Sequence, residues 1–265
     1  MSKVIMVTGA SSGLGKALAE ELHRRGYIVY GTSRQAKPGS PYKMVPMEVK
    51  DQGSVRQAVE EIIRAHGRLD VLINNAGIGL AGPTDQLQIA NIQEVLEVNV
   101  VGVLRVCQAV LPHMRAKGHG LIINISSIGA AMGLPYRGVY CASKSAIDLA
   151  TEALRMEVAA YGIQACSIRA GDTRTNINAN RIKDFDPDCP AYRESFERVY
   201  ASIDREVETG LPAEIIAKKI ARLIEKKRLK RYYVIGKPLQ RVSLLVKRLL
   251  PDPLFERIMK QYAGM

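Results

Sequence analysis

Tyr140 and Lys144 stand four residues apart in RGVYCASKSAIDLATEALRMEVAAYG, a segment whose Ala, Leu and Met content favours helix. On an α-helix that spacing puts a phenol and an ammonium on one face, in one microenvironment. Two readings fit the pair alone: a proton-transfer couple, or a half-buried Tyr with a Lys on its rim. A free phenol ionises near pH 10 (roughly), too high for a base near neutrality unless nearby positive charge favours the phenolate. Lys144 supplies such a charge, which makes Tyr140 a candidate acid/base.

A second cluster, TGASSGLG from Thr8 to Gly15, sits between an apolar strand-like run and a helix-like one. Glycines at 9, 13 and 15 permit a tight turn and close approach of a diphosphate, and the helix that follows offers unpaired N–H donors. Gly9, Ser11, Ser12, Gly13, Leu14 and Gly15 are therefore candidates for binding a dinucleotide. The next strand-like run ends YGTSR, with Ser33 and Arg34 where a carboxylate would accept from a ribose hydroxyl. A guanidinium there suits a 2′-phosphate, so NADP(H) is favoured over NAD(H); a solvated surface Arg is the other reading. Lys16 and Lys37 add to the same potential, and Lys16 also fits a solvated helix face.

These groups need a scaffold, and the apolar pattern supplies one. Strand-length runs (KVIMVT, YIVYGTS, YKMVPMEV, LDVLINNAG, GLIINISS, IQACSIRAG, RYYVIG) alternate with helical segments, as in GLGKALAEELHRRG with Leu14, Leu18 and Leu22. This is the rhythm of a doubly wound α/β fold, with a parallel sheet covered by helices on both faces in three layers. No repeat or linker divides the 265 residues, so one domain is expected. After Gly171 the pattern loosens, and residues 172–211 read as a polar lid over the substrate with no sheet strand. Residues 238–265 form an apolar and basic extension.

Composition narrows the classes. Hydrophobic residues at 47% and charged residues at 24% are those of an ordinary globular chain. The net charge of +12 invites a nucleic-acid reading, but residues 218–260 alone carry fourteen Lys or Arg against three acidic residues. With no helix-turn-helix, zinc or aromatic RNA-binding pattern, no nucleic-acid partner is expected. Cys107, Cys141, Cys166 and Cys189 lack metal spacing and read as reduced thiols. His23, His66, His113 and His119 read as structural or solvated, and no metal is expected. The apolar N-terminal run is too short for a signal peptide, and the apolar stretch Val95 to Leu111 is interrupted by Glu97, Asn99 and Arg105, so a cytoplasmic location is expected.

TGxxxGxG at Thr8 to Gly15, NNAG at Asn74 to Gly77, Asn99 in EVNVVG, Ser127 closing INISS and YxxxK at Tyr140 to Lys144 together resemble the short-chain dehydrogenase/reductase family, from Val4 to about Gly171. The resemblance implies hydride transfer between a nicotinamide cofactor and a carbonyl or alcohol. Tyr140 is then the acid/base, helped by the oxidised ring, and Lys144 lowers its pKa and binds the nicotinamide ribose. Ser127 donates to the developing oxyanion, and the backbone at Asn99 positions a water behind Lys144; a packing role for Asn99 stays open. Asn75, Ala76 and Gly77 border the cofactor, and Gly171, Thr173 and Thr175 reach its carboxamide and diphosphate. Two departures stand out: Ala170 replaces a Pro common before Gly171, and Glu48 replaces an Asp at the adenine, shifting contact toward the backbone of Val49.

The expected substrate walls are Gly129 to Tyr136, Leu80 to Thr84 and the lid from Asn176. Their scarcity of charge favours a small apolar carbonyl or alcohol of lipid, steroid or retinoid type. A 3-oxoacyl thioester reductase is the alternative, and a non-catalytic dinucleotide sensor is a further one. The resemblance also implies a homodimer or homotetramer through the long helices. Leu244, Leu245, Leu249 and Leu250 with Lys247 and Arg248 either pack on the domain or rest on a membrane surface.

Overall fold

The computed structural model describes residues 2–35, 39–174 and 181–265. Lys37, Thr175 and residues 176–180 of the expected lid lie outside the described residues. The strands in chain order are β1 (Val4–Thr8), β2 (Ile28–Ser33), β3 (Lys43–Pro46), β4 (Val71–Asn74), β5 (Gly79–Ala81), β6 (Gly120–Ser127), β7 (Ile163–Ala170), β8 (Thr173–Arg174), β9 (Arg181–Lys183), β10 (Leu211–Pro212) and β11 (Tyr232–Ile235). Seven of them form one parallel sheet in the order β3, β2, β1, β4, β6, β7, β11. The order reverses at β1, so the crevice beyond the carboxyl ends of β1 and β4 is the natural ligand site of such a sheet.

Two apolar cores follow from strand alternation. In β1, Val4 and Met6 face one side while Ile5 and Val7 face the other, and all four are buried. The first core packs them under α2 (Gln52–His66) and α4 (Gly102–Lys117) through Val59, Ile62, Val106 and Val110, with Ile147 and Leu154 of α5 (Gly138–Glu157). The second packs Leu18 and Leu22 of α1 (Gly13–Arg24) and Ile216 and Ile220 of α7 (Ala213–Ala221). Helices thus cover both faces, as the sequence predicts.

One helical run, 29 residues from Ile89 to Lys117, joins α3 (Ile89–Leu96) to α4 through a π turn at Glu97–Val101. By length and hydropathy it is apolar enough to cross a membrane, which the broken pattern at Glu97, Asn99 and Arg105 had disguised. Its apolar residues include Val103, Val106, Val110 and Met114, all in the first core, and Arg105 bonds the carbonyl of Val49 (2.6 Å) and Glu97 (2.8 Å).

The segment after Gly171 departs from the expectation of a strandless lid. β8 pairs with β10, and β9 pairs with β5, each over two or three residues. Such short ladders carry no periodicity that a sequence pattern can register. The helical patch is present as α6 (Arg193–Glu208), anchored by Phe196, Val199 and Ile203. The C-terminal extension folds into α8 (Pro238–Leu249) and α9 (Asp252–Ala263), broken at Pro251.

Gly15 departs from its expected role as well. It does not line the cavity described below; a Cβ there would lie 2.2 Å from the Gly9 carbonyl oxygen and 2.4 Å from Asn75 Nδ2. Its glycine lets the first helix close on the β1 turn, and backbone on one side leaves no room to yield. Gly15→Ala is therefore expected to cost about 1–3 kcal/mol of stability, read as a lowered denaturant midpoint without added nucleotide; an unchanged midpoint would contradict the close-approach role.

Candidate active site

The glycine turn is tied to the end of β4. Thr8 Oγ1 accepts from the N–H groups of Asn75 (2.9 Å) and Ala76 (3.0 Å), while Asn75 Nδ2 donates to the carbonyls of Thr8 and Gly9. Gly9 and Gly13 take positive φ values of 66° and 55°, which suit glycine. Ser12 makes no side-chain cap and the first turn of α1 holds no acidic residue, so its N–H groups remain available to an anion.

A cavity of about 700 Å³ runs along the carboxyl edge of the sheet, its lining drawn from the chain just past each strand end. Gly9, Ser11, Ser12, Gly13 and Leu14 come from beyond β1; Ser33 and Arg34 from β2; Glu48, Val49 and Lys50 from beyond β3; Asn75, Ala76 and Gly77 from beyond β4. Ser127 closes β6, Gly171 and Thr173 follow β7, and Tyr140 and Lys144 come from α5. The structure therefore brings together every described candidate except Gly15 and Asn99. Lys16 lies outside, exposed and paired with Glu20 at 3.7 Å.

Asn99 is fully buried, and its amide is spent. Its Oδ1 accepts from Ile78 N–H (2.9 Å), while Nδ2 donates to the Ile78 carbonyl (2.9 Å) and Ser143 Oγ (3.0 Å). The packing role left open for its side chain is the one observed. Its backbone lies in the π turn, a feature frequent at functional sites. Asn75 lines the cavity, but its amide likewise serves the glycine turn.

Ser127 Oγ accepts from Gly129 N–H (3.1 Å), which leaves its own O–H to donate. Lys144 Nζ lies 5.9 Å from the centre of the Tyr140 ring and donates to the Ile125 carbonyl (3.1 Å). Gly77 makes space here, since a Cβ would stand 3.1 Å from Asn99 Oδ1 and 3.3 Å from Lys144 Nζ.

Burial dominates the electrostatics. It lowers the Lys144 pKa to about 8, with the Asp148 carboxylate one turn on pulling upward. Burial also raises the Tyr140 phenol, opposed first by the Ser127 hydroxyl and then by Arg137 and Arg181. Of the protein's own charges, those two arginines oppose the rise most. Both line the cavity, Arg137 three residues before Tyr140 and Arg181 from a distant segment, and no motif marks them. Lys50 was missed too; it pairs with Glu94 at 2.9 Å and feels the positive charge of Arg34.

The polar end of the cavity also holds Asp172, Glu206, Gln240 and Tyr262. Gln240 donates to Asp172, and a Cβ on Gly171 would strike its side chain. The Ala170–Gly171 turn is thus held by α8 rather than by a proline. The remaining walls are apolar: Leu80, Ile128, Met132, Leu134, Val246, Phe255 and Met259. Tyr136, an expected wall, instead turns away in a left-handed conformation (φ 57°), bonded to Ser195 (2.6 Å) and packed edge-on against Phe196.

A glycine turn with open helix donors, joined in one cavity to a Ser, Tyr and Lys constellation, defines a nucleotide-dependent oxidoreductase site. A model described as short chain dehydrogenase matches residues 3–185. The chain is 40% identical to a 3-ketodihydrosphingosine reductase of Bacteroides thetaiotaomicron, over 96% of this chain and 95% of that protein. It is 32% identical to an NADPH-dependent 3-dehydrocapnine reductase of Ornithobacterium rhinotracheale, over 96% and 94%. The crystal structure of a short-chain dehydrogenase from Streptomyces avermitilis superimposes with a TM-score of 0.82 at 28% identity, covering 98% and 96%. The chain belongs to the short-chain dehydrogenase family, whose cofactor is a pyridine nucleotide.

The buried ammonium makes a pH prediction. Burial holds the folded Lys144 ammonium down to about 8, below its ordinary 10.5, so between those values the unfolded chain holds the extra proton and wild-type stability rises with pH. The shift is worth about 3 kcal/mol. Denaturant titrations of wild type and Lys144→Met from pH 7 to 11 (roughly) should diverge by that order across the window; parallel curves would show that the ammonium is not desolvated.

Proposed function

We propose that this protein is an NADP(H)-dependent reductase of 3-keto long-chain amino lipids, returning the ketone to the secondary alcohol. The observation that carries this reading is the 40% identity, over nearly the whole chain, to a 3-ketodihydrosphingosine reductase, combined with an apolar-walled cavity. A second relative, the 3-dehydrocapnine reductase, is also named for the reduction of a ketone, and is NADPH-dependent.

The nicotinamide cofactor would supply the hydride to the carbonyl carbon. Tyr140 gives its phenolic proton to the carbonyl oxygen, and Ser127 donates to the same oxygen as negative charge develops. Lys144, Arg137 and Arg181 hold positive potential around the phenolate left behind. Gly9, Ser11, Ser12, Gly13 and Leu14 would hold the dinucleotide through backbone N–H groups, with Ala76 and Gly77 beside it and Lys144 at the ribose. Arg34, with Lys50 adding charge, suits a 2′-phosphate. Asp172 and Glu206 offer carboxylates to the ammonium of an amino lipid, and the apolar walls accept its chain.

Exposed Leu104 on α4 and Leu149 and Met156 on α5 support a homo-oligomer through these helices.

Tyr140→Phe should lower turnover at least about 100-fold while nucleotide binding persists; unchanged turnover would remove Tyr140 from catalysis. Arg34→Ala should reduce the preference for NADPH over NADH by about tenfold, and an unaltered ratio would refute the phosphate contact. Glu206→Gln should raise KM about tenfold for an amino ketone but not for a ketone of equal length lacking the amine. Equal effects on both substrates would assign Glu206 a structural role only.

A further inference from the structure

The two C-terminal helices present a surface that the proposed chemistry does not use. Their inner face is settled: Leu244 and Val246 of α8 and Leu250, which follows it, pack with Phe255 and Met259 of α9 against Ile128 and Met132. Lys247 turns inward as well, donating to the Ala131 carbonyl (2.6 Å). The sequence's apolar and basic cluster is therefore divided, with Leu244, Leu250 and Lys247 on the domain and Leu245, Leu249 and Arg248 facing out.

The outer face is apolar and long. Val242, Leu245 and Leu249 recur at helical spacing on α8 and are all exposed, Leu249 by 74%; no residue of α8 is buried. On α9, Leu254, Ile258 and Tyr262 repeat every four residues and are also exposed. Four of these outward residues and neighbours, Leu239, Val242, Ile258 and Tyr262, line the cavity too. The apolar surface and the apolar interior are thus continuous at the mouth.

Charge borders this surface. Arg241 and Arg248, seven apart on one flank of α8, and Arg257 and Lys260 on α9 are exposed and form no ion pair among the described residues. Asp252 and Glu256 are the acidic residues of the same two helices.

We propose that the outer face of α8 and α9 docks on an anionic lipid bilayer, with the cavity mouth set against the membrane. A bilayer surface offers anionic phosphates above hydrocarbon, which matches leucines flanked by guanidinium groups. A second copy of this chain on the same face would bring its own unpaired arginines and lysine against these. The docking stands on the surface alone. Its further consequence rests on the lipid reading given above: the acyl chain of the substrate passes from membrane to cavity across apolar side chains without crossing water.

The test is co-sedimentation of the full chain with vesicles of phosphatidylcholine, with and without phosphatidylglycerol. Binding should require the anionic lipid and weaken with salt. Leu245→Asp with Leu249→Asp, and separately Arg241→Ala with Arg248→Ala, should each reduce the bound fraction about tenfold. None of these four side chains lines the cavity, so turnover of a short, water-soluble ketone should stay at the wild-type level, and Leu245→Gln with Leu249→Gln serves if the aspartates disturb folding. Wild type remaining in the supernatant, or variants binding as wild type does, would overturn the proposal. Variants that dissociate an oligomer in light scattering would overturn it in favour of a second copy. Vesicle binding with no ketone turnover of any length would leave the docking standing and the substrate reading refuted.

Discussion

A positive charge held inside the protein is the constraint around which this site is arranged. Lys144 loses most of its water by sitting on the sheet side of α5, and such burial is tolerated only with specific partners. The Ile125 carbonyl accepts a hydrogen bond from it, Asp148 lies one helical turn away, and Asp148 is in turn paired with Arg169 at 2.7 Å. Gly77 leaves the space for the ammonium, and Asn99 clamps the chain around Ile78. Each of these partners comes from a different element, so the position of the ammonium depends on α5, β6, β7 and the β4 loop together.

The cavity divides along chemical lines. Its nucleotide portion is backbone, glycine and hydroxyl, contributed by strand ends whose register is set by the sheet. Its far portion combines apolar side chains with Asp172, Glu206 and Arg137, contributed by α5, α6 and the loop after β7. The first part depends on the parallel sheet, whose strands all finish on one edge. The second depends on the segment after Gly171, where ladders are short and helices pack through a few aromatic contacts such as Phe196 against Phe185 and Tyr136.

This division explains what could be read from the sequence. The strands of the large sheet, the helices over them, and Ser127, Tyr140 and Lys144 carry local signals: apolar runs, glycine spacing, a four-residue interval. Gly15 shows the limit of a motif, because the pattern includes it while the structure assigns it to packing against Gly9. Asn99 shows another, since a side chain at a motif position is wholly engaged with Ile78 and Ser143. Arg181, Lys50 and Gln240 were invisible because their place in the site arises only when distant segments meet, and Arg137, three residues before Tyr140, belongs to no motif. The strands β8, β9 and β10 were invisible because two or three residues hold no period.

The π turn at Glu97–Val101 has a consequence for the long helix that contains it. Each residue added to a turn rotates everything after it by about 100° relative to an uninterrupted α-helix. The half before the turn contacts β5 and α5, whereas the half after it contacts α2, β4 and β6. The turn works as a phase shifter, re-aiming one continuous rod so that its two halves meet two different surfaces. An unbroken α-helix of the same composition would carry one stripe past both, and the two halves could not be seated at once.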